Sequence, residues 1–358
     1  MSTLFEPIKV GTLDLANRLI MAPMTRSRAN DEGVQPSYAA TYYAQRASAG
    51  LIITEATNVS PMAKGYVRTP GIYTQEQIDS WRPVTEAVHA NGGKIFLQIF
   101  HTGRIALPDF LPDRAQPVAP SAVQAKGQNY TDEGMKEFVL PREITREEIK
   151  QTIRDFATAA RNGIAAGFDG VELHAASGYI VQQFLTTNVN LRTDEYGGSI
   201  ENRARFLLEV IDAMVEAIGA NRVGIKLSPR MPFNDIEEAD ADEVYPYILG
   251  ELNKRNIAYV HVCDATSENW HAKLRPVYNG LYFAGAGFTK ESGQALLAGG
   301  GADAIVYGTK LLANPDLVER FLRDAVLNDP DRATFYSPGE RGYLDYPMLE
   351  GTTLKAEA

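Results

Sequence analysis

The sequence predicts an α/β chain folded as a single (β/α)8 barrel of the TIM type, spanning residues 1–358. Three observations carry that prediction. Eight short apolar stretches run along the chain, helical patterns separate most of them, and a glycine-rich turn follows the seventh stretch. An open doubly wound sheet would use fewer strands and place such a turn after the first.

The stretches cover 18–24, 51–56, 94–100, 170–174, 222–228, 257–263, 281–285 and 304–308. They are rich in Val, Ile, Leu, Phe or Tyr and bounded by Gly, Asn, Asp or Lys, as suits parallel strands covered on both faces. Helical segments are expected over 37–49, 75–91, 146–166, 200–219, 241–255, 290–298 and 314–325. Thr145 with Glu148 forms a capping box that opens the third of these. Ile149, Ile153, Phe156 and Ala160 then recur at helical spacing, and Gly163 and Gly167 are read as a frayed end. Asn91-Gly92-Gly93 stops the preceding helix, and Thr289 caps the one after Gly285-Ala286-Gly287. Two connections exceed a simple loop: 102–144 after the third strand, with five prolines and no helical period, and 175–199 after the fourth. Excursions at strand C-termini build lids over the catalytic face of a barrel.

Charge and cysteine usage exclude several functions. Forty-five acidic residues against 35 basic ones give a net charge of −10, which argues against nucleic acid or an anionic membrane as partner. The single cysteine, Cys263, rules out an intramolecular disulfide and any multi-thiolate metal site. No apolar run approaches the ~20 residues of a membrane span, and the N-terminus lacks the regions of a signal peptide. A cytoplasmic protein is the expectation.

Function in a barrel sits where its strands end. The first strand ends in Pro23-Met24-Thr25, the second in Glu55-Ala56, and the third in Gln98-Ile99-Phe100. The fourth ends in His174 and runs on through Ser177 to Tyr179; the fifth carries Lys226. Glycines after strands seven and eight suit a phosphate held by backbone N–H groups, although Gly-x-Gly alone equally describes a tight turn. A tyrosine can donate a proton and a neutral histidine a hydrogen bond, so His174 and Tyr179 are candidates for acid chemistry or a satisfied structural pair. Glu55 and Glu172 read as buried structural carboxylates. The five histidines form no His-Glu-x-x-His or His-x-His pattern, so no metal site is assigned.

Longer motifs bring a resemblance. Met21-Ala22-Pro23-Met24-Thr25-Arg26, Ala63-Lys64-Gly65-Tyr66, and Gln98 followed by His101-Thr102-Gly103-Arg104 occur in order. Gly167-Phe168-Asp169-Gly170-Val171-Glu172-Leu173-His174, Gln183-Phe184-Leu185, Arg192-Thr193-Asp194-Glu195-Tyr196-Gly197-Gly198-Ser199 and Asn314-Pro315-Asp316-Leu317 follow. The chain resembles the Old Yellow Enzyme family of FMN-dependent ene-reductases. The likeness is to its bacterial branch of N-ethylmaleimide and pentaerythritol tetranitrate reductases, and it spans nearly the whole length.

The resemblance implies FMN over the barrel mouth, reduced by NADPH or NADH and reoxidised by a small activated alkene, with nitro compounds or nitrate esters as further substrates. It implies that Thr25 bonds the flavin C4 carbonyl, that Gln98 contacts the pyrimidine edge, and that Ala56, Pro23 and Met24 pack nearby. Ala286, Gly287, Gly308 and Thr309 would cradle the phosphate, and Lys226 would face the N1/C2 region. His174, with Ser177, would hold the substrate oxygen while Tyr179 protonates the α-carbon. Tyr66, Phe100 and Tyr336 would wall the substrate pocket. Relatives occur as monomers or homodimers, and the same choice is expected here.

Three positions depart from the family pattern. Ser177 stands where a second His or Asn is usual, Lys226 replaces an arginine, and Thr309 replaces the arginine that clamps the phosphate. Lys310 is expected to point away from that phosphate. A planar, bidentate guanidinium is lost twice, so weaker FMN retention is expected. Two other functions are consistent with the sequence: a relative with altered or lost reductase activity, and a Schiff-base aldolase using Lys226.

Overall fold

The computed structural model describes residues 3–351. Eight parallel strands close on themselves: β1 (Leu19–Met21), β2 (Leu51–Ile53), β3 (Ile95–Phe100), β4 (Gly170–Ala175), β5 (Val223–Leu227), β6 (Tyr259–Cys263), β7 (Tyr282–Gly285) and β8 (Ala304–Tyr307). The ring closes where β8 pairs with β1. Every strand lies within its predicted stretch or overruns it by a single residue, as β4 does at Ala175. β1 stops early because Pro23, two residues beyond it, has no N–H to give the ladder.

The barrel floor is apolar. Ile20, Leu51, Ile53, Phe96, Tyr259, Phe283 and Val306 form one buried cluster with Val10 and Leu15 of an N-terminal hairpin, Ile8–Val10 paired with Leu13–Leu15. That hairpin is absent from the sequence reading, since three-residue strands leave almost no alternation to detect. Tyr259 stacks on Phe283 at 4.3 Å between centroids. Two small neighbours make room for these rings: a Cβ at Gly224 would come within 2.3 Å of Tyr259, and one at Gly170 within 2.3 Å of Phe96.

The outer helices are α1 (Ala39–Ala44), α2 (Gln75–Ala90), α3 (Arg146–Ala165), α4 (Ile200–Ile218), α5 (Ala241–Asn253), α6 (Trp270–Leu274), α7 (Lys290–Ala298), α8 (Thr309–Ala313) and α9 (Leu317–Leu322). The capping box of Thr145 and Glu148 opens α3, and Thr289 caps α7, both as expected. One reading is corrected. Gly163 is not frayed but lies inside α3, where a Cβ would meet Leu97 at 3.2 Å and Val171 at 3.3 Å, so its absence lets α3 lie close on β3 and β4. The stop is Gly167, at φ +94°. α6 and α8 escaped the sequence reading because five residues are too few to show a helical period.

The 102–144 excursion holds 3-10 turns and a hairpin, Gln128–Thr131 with Gly134–Glu137. The excursion after β4 contains a short helix, Ile180–Leu185, buried on every side and therefore without an amphipathic signature. Among the described residues no helix is long and apolar enough to cross a membrane.

Candidate active site

Register places the chemistry. His174 of β4, Lys226 of β5 and His261 of β6 are direct neighbours across three strands, so their side chains share one level and one face. One inward position below, Gln98 of β3 neighbours Glu172 of β4. Gln98 Nε2 donates to Glu172 Oε1 at 2.7 Å, and His261 Nδ1 lies 3.2 Å from Glu172 Oε2.

His174 is buried, and its Nδ1 has no partner among the described residues. Burial first, then the neighbouring Lys226 and His261, hold its pKa well below the usual imidazole value, so the ring is neutral. Its ring stacks on Phe100 at 6.1 Å and meets Tyr179 edge-on at 4.9 Å. Beyond β4, Ser177 and Gly178 take left-handed φ values of 57° and 74°, which turns the chain and sets Tyr179 at the head of the short helix. The turn is pinned. Ser177 N–H donates to Ser228 Oγ at 2.9 Å, and the Ser177 carbonyl accepts from Asn234 Nδ2 at 2.7 Å.

Two cavities open at this end of the barrel. One, of about 310 Å³, is lined by Lys226, His261, Cys263, Ala286, Gly287 and Gly308, among others. Thr309 and Lys310 also border it. Gly308 is the N-cap of α8, which begins at the rim of this cavity. No carboxylate lines this cavity, and neither lysine has an acidic partner among the described residues. A Cβ at Gly287 would meet nothing within 4 Å, and Met24 Sδ lies 3.7 Å from where a Cβ of Gly308 would be. Two unpaired cations beside open glycine backbone suit a phosphate-bearing cofactor such as FMN.

The second cavity, of about 300 Å³, is lined by Thr25, Ser27, Tyr66, Val67, Asn129, Tyr130, Tyr179, Phe233 and Tyr336. Its wall is aromatic and carries no charge. Phe100 is buried beside this wall, in a cluster with Ala56 and Tyr179 against which Tyr66 packs, and its ring meets Tyr179 edge-on at 5.3 Å. Ala22 borders the first cavity and Thr25 the second, so the Pro23-Met24 segment runs between them.

His261, Asn234, Tyr130 and Phe233 were not assigned from sequence. His261 ends in the row with His174 and Lys226, and its place on the sixth strand was the available signal. The others sit on lid loops, where no period predicts which side chain turns inward.

Comparison with known proteins agrees with this architecture. A model of the NADH:flavin oxidoreductase / NADH oxidase family matches residues 3–328. The chain is 46% identical to 12-oxophytodienoate reductase 1 of Oryza sativa subsp. japonica, over 97% of this chain and 93% of that protein. It is 45% identical to a probable flavin mononucleotide-dependent alkene reductase of Leishmania infantum, over 97% of each. Among solved structures, morphinone reductase in complex with tetrahydroNAD superposes with a TM-score of 0.94 at 44% identity, covering 98% of this chain and 99% of that one. The old yellow enzyme homologue from Zymomonas mobilis gives 0.94 at 38% identity, covering 97% and 100%. The chain belongs to the NADH:flavin oxidoreductase / NADH oxidase family and is an FMN-dependent oxidoreductase of the Old Yellow Enzyme type.

Proposed function

We propose that this protein reduces electron-poor C=C bonds, as in enones, maleimides and nitroalkenes, with NADPH or NADH as the electron source. When bound, FMN supplies the hydride chemistry, taking a hydride from the nicotinamide and passing one to the alkene β-carbon. The phosphate would be held by Lys310 and the backbone at Ala286, Gly287, Gly308 and Thr309, with Lys226 facing the N1/C2 region and Thr25, Gln98, Ala56, Pro23 and Met24 around the ring. Nicotinamide and alkene would use the aromatic cavity in turn.

The chain's own contribution is polarisation and a proton. His174, neutral and without a protein partner at Nδ1, offers hydrogen bonding to the substrate's carbonyl or nitro oxygen where negative charge develops. Ser177 stands three residues on, and its hydroxyl has no protein partner among the described residues. Tyr179 gives its phenolic proton to the α-carbon, opposite the charge that His174 stabilises. Tyr66 and Tyr336 enclose the substrate.

The observation that supports this reading most directly is the edge-on contact of His174 with Tyr179, which lines the aromatic cavity, beside a cavity lined only by cationic and neutral groups. Anaerobic titration tests it. NADPH or NADH should bleach the flavin spectrum and cyclohexenone should restore it; a flavin that bleaches but is not restored by any activated alkene would refute the proposal.

A further inference from the structure

Glu172 is a fully buried carboxylate that the chemistry above leaves idle. Its two oxygens serve different partners, Gln98 Nε2 on one and His261 Nδ1 on the other. A carboxylate can only accept hydrogen bonds, so the end of the Gln98 amide that faces it must be the NH2 group. An amide whose orientation is ordinarily ambiguous is thereby fixed. Its carbonyl oxygen, Oε1, is left with no protein donor among the described residues.

The far side of the carboxylate is pinned as well. Burial keeps His261 below its ordinary pKa, so the neutral ring donates from Nδ1 to Glu172 and turns Nε2 toward β7. There a Cβ at Gly285 would come within 2.8 Å of Nε2, so only glycine leaves the imidazole its place. The backbone N–H of Gln98 is taken by Thr54 Oγ1 at 3.1 Å, which holds the other end of that residue.

We propose that Glu172 is a positioning residue that holds the Gln98 amide with its carbonyl oxygen toward the barrel mouth, so that the site selects a flavin by its imide N–H. The inference rests on the reading that FMN occupies the mouth. The pyrimidine edge of a flavin carries one imide N–H between two carbonyls. An amide presenting oxygen reads the N–H; one presenting NH2 would read a carbonyl instead. Glu172→Gln keeps the side-chain volume but can offer either end to Gln98, and the enforced orientation is lost.

The test compares binding of FMN and of 3-methyl-FMN, whose imide hydrogen is replaced, to the apoprotein by quenching of flavin fluorescence. Wild-type protein should prefer FMN by about 10- to 100-fold, the range for leaving one buried partner unsatisfied. Glu172→Gln should weaken FMN toward the 3-methyl value while leaving 3-methyl-FMN unmoved; general structural damage would weaken both alike. Gln98→Ala should likewise abolish the preference with the Glu172–His261 contact intact, and it serves should the first variant not fold. A wild-type preference retained in either variant, or no preference in wild type, overturns the inference alone. Wild-type protein that binds neither flavin overturns the FMN reading and this inference with it.

Discussion

The Tyr179 hydroxyl donates to the Tyr66 hydroxyl at 3.0 Å, with the two rings edge-on and 6.2 Å apart. Burial pushes the Tyr179 phenol well above its usual pKa and the Tyr66 phenol up to about 12, so both keep their protons across the physiological range. A proton held this firmly leaves only for a strong base, such as carbon gaining negative charge. Tyr179→Phe should therefore slow alkene reduction ~10²–10⁴-fold and spare flavin reduction by the nicotinamide. Stopped-flow measurement of the two half-reactions separates these effects; equal losses in both would remove Tyr179 from the proton-donor role.

Lys310 and Thr309 make a second case. Thr309 stands where the family resemblance implies a phosphate-clamping arginine, yet Lys310 borders the same cavity as Lys226. Lys310→Ala should raise the FMN dissociation constant about tenfold, in line with ~1.5–3 kcal/mol for a charged hydrogen bond less its solvent screening. Riboflavin, which lacks the phosphate, should bind both proteins equally. Thr309→Arg should tighten FMN and leave riboflavin unmoved. Loss of riboflavin binding in Lys310→Ala would mean the lysine shapes the pocket rather than meeting the anion.

Strand positions were legible because each is a run of apolar residues needing no partner to be recognised, and the strand ends then named most of the site. His174, Lys226 and the glycines of β7 and β8 fall where the barrel rule puts function. The helix at Ile180–Leu185 was not legible, since full burial erases the polar face that marks a helix. Asn234 and Phe233 lie on a loop whose course is set by Arg104, which donates to the carbonyls of Asn234 and Asp235 from 130 residues away in sequence. No local pattern reports such a contact.

Ala286 adopts φ +80° between two glycines of the turn after β7. An L-residue there costs roughly 1–2 kcal/mol, and a glycine would give back about 0.4–1 kcal/mol through the freer unfolded chain. Ala286→Gly should thus raise stability by up to about 1 kcal/mol without weakening FMN, because the backbone N–H groups remain. Denaturant unfolding of the apoprotein checks the first part and flavin titration the second. A destabilised variant would show that the alanine methyl packs usefully.

His101 sets an acid limit. It is fully enclosed just beyond β3, and its Nδ1 accepts the Gly103 N–H at 3.0 Å, fixing the entry to the first lid excursion. Burial lowers its pKa from 6.5 to about 4. The unfolded chain takes up this proton near pH 6.5 and the folded chain only near 4, so acidification through that window favours unfolding. The linked loss amounts to about 3 kcal/mol by the pH 4 end. His101→Asn keeps an acceptor for Gly103 but cannot titrate, so its stability should fall less steeply over the same window. Urea unfolding of both proteins at pH 6.5, 5 and 4 checks this; parallel curves would move the acid sensitivity to the carboxylates instead.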